Sequence, residues 1–221
     1  MQGFGLELVA IQALLFSRRD LGLFREAAIE EETVEFLKGL CGLASDLGAR
    51  VLVFGSPSNR VRGKILMDEA FDRASRFFSM IAPTANDQGV CVCIEPLRAD
   101  ETDFITTAAE GIRLVEMVGH PGFGLHLDSK AVAAEGQDLN KIFRLSEPYL
   151  KHFHISEPQL REIGSTGEVD HTLMARTLRD IDYQGYVSIE MRTWSDPSKV
   201  VERSLRLAKD AYLSTTMIQQ R

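Results

Sequence analysis

Short apolar runs alternate along this chain with stretches whose apolar residues recur every three to four positions. Six runs read as strands: Leu6–Leu14, Val51–Phe54, Val90–Glu95, Phe123–Asp128, Lys151–Ile155 and Tyr186–Met191. Between them, Val34, Leu37, Cys41, Ala44 and Leu47 fall at helical spacing. So do Phe104, Ala108, Ile112 and Val115, and later Leu173, Thr177, Leu178 and Ile181. Each set forms one stripe for burial against a sheet. Strand followed by helix, repeated, predicts a parallel sheet with right-handed crossovers.

Turn residues mark the joints. Gly48, Gly89, Gly119 to Gly122 and Gly185 each stand just before a strand, where a helix ends and the chain reverses. The segments that follow the strands are longer and polar: Ser56–Gly63, Arg98–Asp103, Ser129–Asp138 and Ser156–Asp170. Tight turns on one side and long loops on the other are what a barrel with its site on one rim shows. No linker or low-complexity tract divides the chain, so residues 1–221 are expected to form a single domain.

Composition narrows the functional classes. A formal charge of −7 and a pI near 5.3 argue against a nucleic-acid partner, which needs a basic face. A small polar substrate fits better. Cys41, Cys91 and Cys93 lack metal-type spacing and read as small core residues in a reducing compartment. No apolar stretch approaches a membrane span, and the start lacks the regions of a secretory signal, so a cytoplasmic location with no membrane partner is expected.

Four side chains able to ligate a metal sit at strand carboxyl ends: Glu95 after VCVCI, Asp128 closing FGLHLD, His154 in LKHFH and Glu190 after YVSI. They are separated by 33, 26 and 36 positions, each about one strand-helix unit with its loop. Parallel strands place their carboxyl ends on one rim, so such residues can converge. Three carboxylates and an imidazole brought together would repel one another without a cation, and a divalent ion is the simplest remedy. Oxygen donors with one imidazole suit Mn²⁺ best, with Mg²⁺, Co²⁺ or Zn²⁺ as further choices. A small polar substrate chelating through a carbonyl and a neighbouring hydroxyl would then lose a proton beside a polarised carbonyl.

In CIEP, HLDS, HFHISEP and SIEMR the chain resembles the xylose isomerase-like TIM barrels, the sugar phosphate isomerases and epimerases that include the ketose 3-epimerases and, more distantly, endonuclease IV. The resemblance covers nearly the whole chain. It implies an α/β TIM barrel that lacks the first two βα units, with about six parallel strands where the family has eight. It implies one divalent metal on Glu95, Asp128, His154 and Glu190, with Glu95 and Glu190 doubling as acid and base on opposite faces of the sugar. An isomerase or epimerase is therefore expected. A dehydratase of the inosose or dehydroshikimate type and a barrel that binds without turnover are the alternatives. Endonuclease chemistry is disfavoured by the few histidines and the acidic surface.

The pattern departs from the family in places. Ala131 stands where the family commonly has a His, so Lys130 or Ser129 would have to supply that contact. Arg161 lies one place later than the family's Arg, preceded by Glu157, and Glu101 stands six residues past Glu95. Glu101, Lys130, Glu157 and Arg161 are candidate substrate contacts, as are Gln12 and, in a donor-rich loop, Asn59 and Arg60. That loop, continued by Arg62 and Lys64, could hold a sugar phosphate. His126 and His152 lie two residues before a ligand and read as buried structural histidines one layer down. Trp194 could stack on a sugar face. Open strand edges predict self-association, as a dimer.

Overall fold

The structure is a computed structural model and describes residues 5–192 and 196–213. In chain order the elements are β1 (Ala10–Ile11), α1 (Ala27–Leu47), β2 (Val51–Phe54), α2 (Met67–Asp87), β3 (Cys91–Ile94), α3 (Ala108–Val118) and β4 (Phe123–Asp128). They continue with α4 (Ser129–Ala134), α5 (Leu139–Ser146), β5 (Leu150–Ile155), α6 (His171–Asp180), β6 (Val187–Ile189) and α7 (Pro197–Ala208). The strands stand in the sheet in their order along the chain. Two compact units result, one of Met1–His126 with Tyr149–His152, the other of Leu127–Pro148 with Phe153–Arg221. Strands β4 and β5 each begin in the first unit and end in the second.

In the first unit the ladders are parallel: Ala10 faces Val51, Val51 faces Cys91 and Phe54 faces Ile94, while Val92 pairs with Phe123. The Leu125 N–H reaches the Tyr149 carbonyl at 2.9 Å and carries the sheet on to β5. Side chains alternate between two faces. One face of β2 and β3 presents Val51, Val53 and Cys93, with Ala10 and Cys91 packed against them. The other presents Phe54 toward α2, where the Phe78 ring lies 5.2 Å from Phe54 and stacks on Phe123 at 4.5 Å. Period two therefore puts Glu95 on the same face as Cys91 and Cys93, at the carboxyl end of their column.

In the second unit β5 and β6 are parallel, with Phe153 opposite Val187 and His154 opposite Ser188. Leu127, Val132, Ile142, Phe143, Phe153, Ile155, Met174 and Leu178 are buried there. The Phe143 and Phe153 rings lie 5.7 Å apart.

Gly48, Gly89 and Gly119 adopt φ of 85°, 67° and 58°, the left-handed geometry that ends a helix and turns the chain toward the next strand. The Gly48 N–H closes α1 on the carbonyls of Ala44 and Ser45. Two expectations need correction. The run Leu6–Leu14 yields only the two-residue β1, because the chain turns at Ala13, with φ 57°, and Phe16 N–H bonds back to the Ala13 carbonyl. Its apolar Leu14 and Leu15 are buried from this turn rather than from a strand. Leu47, placed on the α1 stripe by its spacing, is 48% exposed. Among the described residues no helix is long and apolar enough to cross a membrane.

Candidate metal centre

Glu95 follows directly on β3, whose apolar residues lock the strand into the sheet. Its N–H donates to the Phe54 carbonyl at 3.2 Å, and its own carbonyl accepts from Arg60 Nη2 at 2.7 Å. The side chain is buried, with Oε1 3.7 Å from His126 Nε2 in the same unit. The His126 ring in turn stacks on His152, centroids 5.5 Å apart and planes at 25°. His126 and Asp128 share a face of β4, which makes His126 a potential donor rather than only a structural histidine. Its place two residues before Asp128 was the signal in the sequence.

The Asp128 carboxylate, in the second unit, is completely buried and densely bonded. Asp128 caps α4, with Oδ1 accepting from the N–H groups of Lys130 at 2.8 Å and Ala131 at 3.3 Å. The Ser156 hydroxyl lies 2.6 and 2.7 Å from its two oxygens. Ser156 is itself fixed by Ser129: the Ser156 N–H donates to Ser129 Oγ at 2.8 Å, and that hydroxyl donates to the Ser156 carbonyl at 2.9 Å. Burial pushes the Asp128 carboxyl above its ordinary value, against the opposing pull of the Lys130 charge and the Ser156 hydrogen bond.

His154 Nδ1 lies 3.9 Å from Glu190 Oε2, and the Glu190 N–H is held by the Ile155 carbonyl at 2.9 Å. Burial, reinforced by the Lys130 charge, lowers the His154 pKa to about 4. The ring is thus neutral near pH 7, the form a metal requires of an imidazole. Within the second unit Asp128, His154 and Glu190 make up a donor set that could hold a metal ion.

The residues expected to touch substrate occupy varied surroundings. Both amide hydrogens of Asn59 go to backbone carbonyls, Arg18 at 2.9 Å and Leu21 at 2.8 Å. Arg60 is wholly buried, with Nη2 also 3.4 Å from the Ile105 carbonyl and with Nε and Nη1 lacking a partner among the described residues. Burial lowers its pKa to about 10, while Glu95, Glu101 and Glu110 pull the other way. In the same loop Arg62 donates to the carbonyls of Asp103 and Ile65, at 3.1 and 2.8 Å. Gln12, Glu101 and Arg161 are exposed, and Glu101 Oε2 accepts from the Arg98 N–H at 3.1 Å. Lys130 is buried beside Asp128. Trp194 lies outside the described residues.

Glu157 is also wholly buried and organises its own loop. Its carboxylate accepts from the Gly164 N–H at 2.8 Å and from the Thr166 hydroxyl, and lies 3.0 Å from His171 Nε2. His171 Nδ1 is 2.9 Å from the Tyr212 hydroxyl, whose proton burial holds in place. A Tyr212 O–H donating to Nδ1 leaves the Nε2 hydrogen for Glu157, a consistent relay across the loop. Glu157 stood among the candidate substrate contacts, and its link to His171, 14 positions on, comes from packing.

Residues 1–211 match the family model described as xylose isomerase-like TIM barrel. Among curated proteins the chain is 36% identical over 110 residues to D-psicose 3-epimerase of Agrobacterium fabrum, a match covering 50% of this chain and 38% of that one. The chain spans only part, 38% and 59%, of the first two curated relatives it matches. A solved structure of D-psicose 3-epimerase in the presence of D-fructose superposes with a TM-score of 0.80 at 20% identity, covering 96% of this chain and 91% of that one. A solved structure of the IOLI protein with a binding zinc atom gives 0.76 at 18% identity, with 93% and 76% covered. At such identities these two structures establish the fold alone.

Proposed function

We propose a function from one premise: the chain belongs to the xylose isomerase-like TIM barrel family. The reading is that of a sugar epimerase acting on a free ketose, with Glu95, Asp128, His154 and Glu190 holding one divalent cation. The carrying observation is the chemistry of the donors. Asp128 is a fully buried carboxylate with its pKa raised by burial, and His154 is a buried imidazole kept neutral. Buried carboxylates that favour protonation and a neutral ring are groups that a cation stabilises. The donor set therefore fits a divalent ion, with oxygen-rich character that favours Mn²⁺ or Mg²⁺ over an all-sulfur metal.

When bound, such an ion supplies polarisation of the ketose carbonyl. The protein's own contribution is proton transfer. One of Glu95 and Glu190 removes the hydrogen on the carbon next to the carbonyl, and the other delivers a proton to the opposite face, inverting that centre. Burial around Glu95 keeps water from competing for the proton. Matches to ketose 3-epimerases support this choice of substrate class.

The test is a panel of ketoses incubated in deuterated water with Mn²⁺, followed by NMR for epimer formation and deuterium at the inverted carbon. Glu95→Gln and Glu190→Gln should each lose about 10²- to 10⁴-fold in turnover. Normal turnover in either variant removes the acid/base assignment. A dehydrated product would replace epimerase with lyase chemistry.

A further inference from the structure

We infer that Gly55 is a positioning residue for the Glu95 carboxylate, an assignment that rests on the metal-dependent reading above. Gly55 ends the β2 run VLVFG and is buried. Its φ lies outside the left-handed region, so the backbone there does not itself demand glycine. What demands it is space. A methyl built on Gly55 collides with Glu95 Oε2 and lies 3.5 Å from Cδ, and beyond the adjoining residues no other described atom falls within 4 Å of it. Apart from its chain neighbours, the volume a side chain would take is filled by the tip of Glu95. Gly22 provides the contrast: a methyl there would stand 2.6 Å from the Asn59 carbonyl oxygen, so that glycine serves backbone packing.

The collision has one outlet. The Glu95 backbone is clamped on both sides, its N–H by the Phe54 carbonyl at 3.2 Å and its carbonyl by the buried Arg60 guanidinium at 2.7 Å. Keeping a guanidinium buried with two nitrogens that have no partner among the described residues is costly, and an apolar side chain would serve the fold better. The clamp is therefore rigid, and an intruding methyl is relieved by swinging the carboxylate rather than by moving the strand. Gly55 thus sets where Glu95 points through absence of bulk, in a β2 loop that carries no metal donor of its own.

Gly55→Ala, Glu95→Ala and the double variant are compared with the parent protein by calorimetric titration with Mn²⁺ and by thermal melts. Gly55→Ala should keep the parent's melting behaviour, weaken Mn²⁺ binding by about 10- to 100-fold, and lower kcat by about 10²-fold. In the Glu95→Ala background the same substitution should cost nothing further, because the group it displaces is gone. Unchanged Mn²⁺ affinity in Gly55→Ala overturns the assignment, as does an equal loss in both backgrounds. So does a Gly55→Ala protein that fails to fold and is not restored by Glu95→Ala. If the parent protein binds no Mn²⁺, the proposed function falls separately. Gly55 is then decided by the crystal structure of Gly55→Ala: a carboxylate displaced by about 1 Å or more on an unmoved strand upholds the assignment, and an unmoved carboxylate ends it.

Discussion

Removing the Ser156 hydroxyl is the sharpest probe of how the second unit prepares Asp128. The hydroxyl lies 2.6 and 2.7 Å from the two carboxylate oxygens, and both residues are completely buried. Ser156→Ala deletes one charge-assisted hydrogen bond and leaves Asp128 with the N–H groups of Lys130 and Ala131. Such a bond contributes about 2 kcal/mol. In a chain of this length that corresponds to a fall of about 4–8 °C in melting temperature. The sign of the pH dependence follows from Asp128. Its folded pKa is raised above the ordinary 3.8, so its neutral form is the one the fold favours, and that contribution is lost as pH rises through the folded value. Deleting the hydroxyl raises the folded pKa further. The penalty is therefore full where Asp128 is ionised and shrinks as the pH falls through its folded value. Thermal melts of the parent and Ser156→Ala with a chelator, across pH 4 to 7, measure it, and a Mn²⁺ titration should show affinity weakened by about 10- to 100-fold. An unchanged melting temperature at neutral pH, or a penalty that ignores pH, would refute the view that Ser156 holds an ionised Asp128.

Three further outcomes are expected. His154 is neutral in the fold down to a pKa of about 4 against an ordinary 6.5, so metal-free stability should fall by about 3 kcal/mol as pH drops from 6.5 to 4. His154→Gln should flatten that limb in melts scanned against pH. Mn²⁺ at a hundred times its dissociation constant should add about 2.7 kcal/mol of stability, reversed by chelator and absent in Asp128→Asn, as read by differential scanning calorimetry. Glu157→Ala should cost about 3 kcal/mol, because it strands the buried His171 and the Gly164 N–H. A variant that kept its melting temperature and lost only sugar affinity would make Glu157 a substrate contact instead.

The parts of the fold that came through from sequence are those set by short-range pattern. Val51–Phe54 and Phe123–Asp128 form strands over the expected residues, because apolar runs flanked by glycine leave few alternatives. Edge runs fared worse. Tyr186–Met191 shortens to Val187–Ile189 and Leu6–Leu14 to two residues, since among the described residues each is held by a ladder on one side alone and local turns compete successfully. Candidate chemistry was visible for a related reason: a charged residue closing an apolar run cannot be buried for the fold's benefit and draws attention to itself.

Partners remote in sequence were invisible. Asn59 and Arg18 are 41 positions apart, Arg60 and Glu95 are 35 apart, and His171 and Tyr212 are 41 apart. Composition made Asn59 and Arg60 look like donors for a ligand, and only packing reveals that Asn59 ties two loops together and that Arg60 braces the strand end bearing Glu95. By itself the sequence determined the order of strands and helices, the turns between them and which acids and histidines end a strand, because those follow from periodicity and local backbone preference. Tertiary structure alone decided which buried group each of those side chains meets, how its charge is tuned and which glycine leaves it room, because burial and hydrogen bonding depend on neighbours that no local pattern specifies.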